Sequence, residues 1–395
     1  MGEVAARNAV AVVFALNGFA FSCLFARLAD VRSGLDLTNG DLGILLLTLA
    51  GGSLVALVAS GRVVARLGAA AGVRLGCAGV LAGLLLAALG LSVPSLPLTV
   101  AGFVLYGAGS GAWDVAMNVE AAAVERVLGR TIMPRFHAGW SLGSFGGAGI
   151  GVLLTGAGVG PVVHLAAGGV LAATAAAVAV RRFPPTGARS TGPTGGSRAR
   201  SAWTDPRTLA LGVMVLCFAA AEGAANDWLA LALIDGYEAP QWLGVAGFAG
   251  FVCAMTFGRL VGPVAIDRYG RLAVIAAGAL GSAAGVLLVV LGGAWPLVAV
   301  GIVLWGLGAA LGFPVGMSAA ADDPTVAAQR VSVVATIGYG AFFAGPPLLG
   351  ALGDAVGILE ALLVVSLLML VAVASAGAVR EGRERQRSSQ ANPSP

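Results

Sequence analysis

Asp114, His137, Glu222 and Asp227 stand inside stretches of the chain that are otherwise almost free of charge. Asp114 is followed four residues on by Asn118, and Glu222 by Asn226, so on a helix each carboxyl shares a face with a carboxamide. Gly107 and Gly111 extend the Asp114 stripe, which suits a neighbouring helix or a water-filled cavity but not lipid. A carboxyl held in hydrocarbon must find a partner or hold a proton, and a group that does each in turn can carry protons. His137 opens a later stretch at nearly the depth of Asp114, and a carboxylate beside an imidazole can exchange a proton near neutral pH. Asp227 would point about 140° away from Glu222 and fits an outer vestibule or a helix contact. Each has a plainer use: a permanent interhelical bond for Asp114 and Glu222, and headgroup water for His137.

Asn17 supplies a further amide at mid-depth of the first apolar stretch. Trp113, Trp140, Trp228 and Tyr339 could stack on a sugar ring or a flat organic solute, or could simply fill the core. His137 and Ser141 are four residues apart, but no ordered acid, base and nucleophile accompany them, and HExxH and Walker-type loops are absent. The four cysteines, Cys23, Cys77, Cys217 and Cys253, are scattered singly, with no metal-ligand or disulfide spacing. The sequence therefore implies no enzyme, no metal site and no cofactor. The net charge of +4 is carried by arginines set between apolar stretches, which is not a nucleic-acid footprint.

What must position these groups is a membrane. Of 395 residues 58% are hydrophobic and only 11% charged, against roughly 25% charged in a soluble domain. Apolar stretches of about 20 residues span a bilayer as helices, and the 61 glycines suit close helix packing there. Segments at 8–26, 41–60, 73–92, 98–118, 136–157, 161–180, 208–233, 241–261, 273–292, 296–316, 332–352 and 357–378 predict an all-α protein with twelve transmembrane helices. Residues 181–207, rich in Pro, Gly, Ser, Thr and Arg, read as a flexible linker between bundles at 1–180 and 208–380, and 381–395 as a disordered tail. With the N-terminus inside, all basic residues except Arg27 and Arg32 fall on or near the cytoplasmic side. That orientation places both termini and the linker in the cytoplasm of a cell with this protein in its plasma (inner) membrane.

The chain also repeats itself. Gly61-Arg-Val-Val-Ala-Arg66-Leu-Gly68 aligns with Pro263-Val-Ala-Ile-Asp267-Arg268-Tyr-Gly270-Arg271 at an offset of 202. Tyr106-Gly-Ala-Gly109 aligns with Trp305-Gly-Leu-Gly308, and Trp140 and Gly146 with Tyr339 and Gly345, at 199. Two related six-helix halves are the plan of an alternating-access carrier with a midplane site.

On these residues the chain resembles the major facilitator superfamily over nearly its whole length. Asp267-Arg268-Tyr-Gly270-Arg271 matches the family's cytoplasmic link well. The first copy keeps Gly61, Arg66 and Gly68 but has Ala65 where the family usually has aspartate. Asp114-Val-Ala-Met-Asn118, His137-Ala-Gly-Trp140 and Glu222-Gly-Ala-Ala-Asn-Asp227-Trp228 look like a bacterial inner-membrane subgroup near the fucose-permease branch. The resemblance implies two pseudo-symmetric bundles and a monomeric secondary transporter of a small organic solute, coupled to protons and surrounded by membrane lipid. Arg259, Asp267, Arg268 and Arg271 would hold an inner gate by charge-assisted bonds to helix ends. A multidrug or metabolite efflux antiporter is the alternative, and a non-transporting receptor or scaffold a further one. Uptake or export, and the solute, stay open.

Overall fold

A computed structural model describes residues 3–128, 132–183, 202–323 and 326–380; most of the expected linker and all of the expected tail lie outside these. The described chain is helical, with no strand. In order come α1 (Glu3–Phe25), α2 (Leu28–Gly34), α3 (Asn39–Leu67), α4 (Ala69–Ser92), α5 (Leu96–Leu128), α6 (Met133–Gly156) and α7 (Pro161–Ala179). There follow α8 (Pro206–Gly236), α9 (Gln241–Leu291), α10 (Trp295–Ala309), α11 (Gly312–Ala320), α12 (Ala327–Val356), α13 (Ile358–Ala361) and α14 (Leu363–Ser375).

Nine of the described helices are long and apolar enough to cross a membrane. Three of these are a helix pair counted as one, α1 with α2, α10 with α11 and α13 with α14. The run Gln241–Leu291 conversely holds two crossings, because Gly270 (φ 80°, ψ 158°) breaks it in the middle. The glycine-rich α5 and α6 complete the set of crossings expected from the sequence.

The repeat is visible in backbone geometry. Gly68, between α3 and α4, has φ 85° and ψ 163°, almost the values of Gly270 at the aligned place. Side chains other than hydrogen are strained there, so each link turns at a glycine. The helix that follows each glycine meets its neighbour through backbone. A methyl on Gly76 would come within 2.6 Å of the Trp113 nitrogen, and one on Gly83 within 2.6 Å of the Gly102 oxygen. At the aligned positions a methyl on Gly278 would lie 2.9 Å from the Gly308 oxygen, and one on Gly285 2.5 Å from the Gly301 oxygen. With no hydrophobic drive between helices in lipid, such close approach supplies dispersion contact instead.

Contacts divide the chain into two compact units. The first takes in Met1–Gly192, Asn226–Val252 and Pro346–Leu359; the second takes in Pro193–Ala225, Cys253–Gly345 and Glu360–Pro395. Within the first, α4 packs on α5, α3 on α5, α1 on α6 and α4 on α7.

Candidate functional site

The second unit holds a part-buried ion pair between two long helices. Glu222, midway along α8, meets Arg259 of α9: Nη2 donates to both carboxylate oxygens, at 3.1 and 3.0 Å. The two side chains are only 14% and 24% exposed. Arg259 also donates from Nε to the Ala310 carbonyl at 3.4 Å. Gly223, next along α8, faces the ring of Phe342, which belongs to an aromatic row with Tyr339 and Phe313. Tyr339 itself is half exposed.

A second charged network lies at the end of this unit that carries the Gly270 break. Arg271 donates to Asp322 at 2.8 Å and to Ser318 at 3.2 Å. Arg207 reaches the other oxygen of Asp322 at 2.7 Å and the Ala378 carbonyl at 3.0 Å. Arg330 pairs with Asp205 at 3.2 Å. Burial would raise the Asp205 carboxyl, but the Thr208 hydroxyl, Arg330 and nearby backbone N–H groups outweigh it and hold it below the usual carboxylate range. Arg268 lies over the Tyr269 ring, 5.2 Å from its centroid, and Asp267 is exposed. Of the anticipated link residues, then, Arg271 bonds to Asp322 and Ser318 at one helix end, and Arg259 bonds both the carbonyl that closes α10 and Glu222.

In the first unit Asn17 is buried and accepts from the Trp140 indole at 2.9 Å. Phe21 lies against Trp140, centroids 5.5 Å apart, and Ser22 bonds Ser144 at 2.7 Å. Asp114 is bonded by the Asn118 amide at 3.1 Å, and the same amide donates to the Asp114 carbonyl at 2.9 Å. His137 meets Phe14 edge-on at 5.3 Å. Gly107 and Gly111 of the same stripe face the backbone of α3 at Leu49 and Ser53. Trp113 is fully buried against Gly76. Asn226 and Asp227 are buried at 9% exposure each, and Trp228 is fully enclosed beside Gly350. Gly61 and Arg66 are exposed.

Sequence reasoning assigned Glu222 and Arg259 to different tasks, and the structure joins them. It also missed Asp322, although an Asp322-Asp323 pair at an otherwise arginine-rich end was a usable signal.

Comparison with known proteins follows the same line. Residues 241–395 match the model of the Major Facilitator Superfamily. An uncharacterized transporter of Sinorhizobium fredii is 33% identical over 348 residues, 88% of this chain and 90% of the relative. An uncharacterized MFS-type transporter of Yersinia pestis is 31% identical over 380 residues, 93% of this chain and 94% of the relative. Among solved structures, the nucleoside transporter NupG superposes with a TM-score of 0.78 at 13% identity, covering 96% of this chain and all of that one. The fucose:proton symporter FucP of E. coli does so with a TM-score of 0.65 at 14% identity, over 96% of this chain and all of that one. The chain belongs to the major facilitator superfamily. It is a multi-pass membrane transporter with that family's all-α fold, and not an enzyme.

Proposed function

We propose that this protein is a secondary active transporter that moves a small organic solute across the plasma membrane by alternating access, coupled to protons. The observation that carries this reading is the Glu222–Arg259 pair, a carboxylate and its counter-ion within apolar helices. Ionisable groups at that depth are costly and mark transport routes. Arg259 is the counter-ion that holds the Glu222 carboxylate. When a proton joins Glu222 the pair dissolves, and Arg259, eight residues before Asp267 on the same helix, is released to bond elsewhere. Proton binding is thereby tied to a change in how α8 and α9 hold together.

Asp114 with Asn118, and Asn17 with Trp140, offer polar edges for a solute with hydroxyl or amide groups. Trp140, bonded to Asn17, is the side chain that would stack on its ring. The chain contains no nucleotide-binding loop, so the energy is that of an ion or solute gradient. Residues 1–180 and 208–380 rock as two bodies joined by a cytoplasmic linker, with both termini inside and the protein acting as a monomer.

The test is uptake into proteoliposomes under an imposed pH gradient, using panels of sugars, nucleosides and lipophilic drugs. Glu222→Gln should abolish gradient-driven accumulation while leaving downhill exchange. Accumulation that survives in the Gln variant removes Glu222 from coupling. Efflux of the drug panel alone would identify the antiporter reading instead.

A further inference from the structure

Two acids of this protein sit at the wrong end of their own helices. Asp235 is in the last turn of α8 and Asp354 in the last turn of α12, where unpaired carbonyls make an anion unfavourable. Each is instead satisfied by elements from the beginning of the chain, all within the first compact unit.

Asp354 caps α3. That helix opens with a capping box: the Thr38 hydroxyl accepts from the Asp41 N–H at 3.1 Å, and the Asp41 carboxylate accepts from the Thr38 N–H at 3.1 Å. The box leaves the N–H groups of Asn39 and Gly40 unused. Asp354 takes both, at 2.8 and 2.7 Å. Such proximity needs glycine, since a methyl on Gly40 would lie 2.6 Å from the Asp354 carboxylate. One turn on, a methyl on Gly43 would lie 2.8 Å from the Pro347 Cα.

Asp235 is held by Arg32 of α2, with both guanidinium nitrogens engaged, one of them at 2.7 Å. Arg32 also donates to the Asn39 side chain at 2.7 Å. Beside it Gln241, at the start of α9, donates to Asp30. Asp30 also pairs with the buried Arg27, 3.3 Å away. Arg27 and Arg32 are the two arginines that the positive-inside bias leaves on the outer side. Both are now accounted for by these bonds.

We infer that Asp354 on the α3 N-terminus and Asp235 on Arg32 form an outer latch. It holds the external ends of α8, α9 and α12 against α2 and α3, and it must open whenever the solute exchanges with the outside. The inference rests on the transport reading and its orientation. When the latch opens, each acid is returned to its own helix C-terminus without a counter-charge, so the open arrangement is disfavoured until something offsets the loss. Each contact is partly exposed, so its loss should shift the closed-to-open ratio by about fivefold.

The test is a distance measurement that needs no solute. Spin labels are placed at Val93 and Trp242, both exposed at helix ends on the outer side, in full-length protein in lipid nanodiscs with Cys253→Ser. Arg32→Ala/Asp354→Ala should enlarge a longer-distance population by an order of magnitude over the unsubstituted protein. Arg32→Asp/Asp235→Arg should restore the short distances. If the double alanine variant is poorly folded, Asp354→Asn, which keeps the shape but lacks the charge, should give the smaller shift alone. Distance distributions identical in all variants overturn the latch. A shift in a protein that moves no solute in liposomes leaves the latch standing and overturns the transport reading alone.

Discussion

Glu222 and Arg259, 37 residues apart in sequence, meet across α8 and α9 with one guanidinium nitrogen shared between both carboxylate oxygens. Neither is solvated enough for the pair to be an idle surface contact. Arg259→Ala should leave Glu222 without its counter-ion and lower stability by about 3 kcal/mol. The double change Glu222→Gln/Arg259→Gln should recover most of that loss without recovering gradient-driven transport. Thermal melts in detergent, combined with liposome flux, measure the two effects separately.

Asp114 and Asn118 form a closed unit on one face of α5. Residues that act as a unit lose function non-additively. Asp114→Asn and Asn118→Ala should each reduce transport about tenfold, and the double variant should be no worse than either. Additive losses in initial rates would show that the two act independently.

The links that turn at Gly68 and Gly270 use a backbone region closed to other residues. Gly270→Ala and Gly68→Ala should each cost about 1–3 kcal/mol, seen as lower melting temperatures and lower yield. Gly61→Ala is the control, because a methyl there meets nothing within 4 Å.

The α4–α5 seam and its counterpart in the second unit make the same demand. Gly285→Ala and Gly83→Ala should each destabilise by about 1–3 kcal/mol through overpacking. Gly281→Ala should be neutral, since that position is open, although it aligns with Gly79, where a methyl would meet the Gly109 Cα at 2.8 Å.

The spans were legible because bilayer thickness fixes helix length and composition together. So was the repeat: the offsets of 202 and 199 reappear as matched glycine contacts, Gly83 on Gly102 and Gly285 on Gly301. The partners of the site residues were less legible. Hydropathy gives the depth of Glu222 but not the direction from which a counter-ion arrives, so Arg259 read as part of the cytoplasmic link. Depth likewise brought His137 level with Asp114, but it could not place the His137 ring on Phe14 or the Asn118 amide on Asp114. Asp354 gave no signal at all, because nothing local records that its partner is a backbone 314 residues away.

Where Gly278 rests on Gly308 and Gly285 on Gly301, two helices touch main chain to main chain and leave no side-chain cushion to deform. A joint of that kind tolerates neither sliding nor rolling. The third and fourth crossings of each repeat are therefore welded, and any stroke of the carrier has to be taken up at softer seams elsewhere. Mutational tuning of turnover should succeed at those seams and fail along the weld.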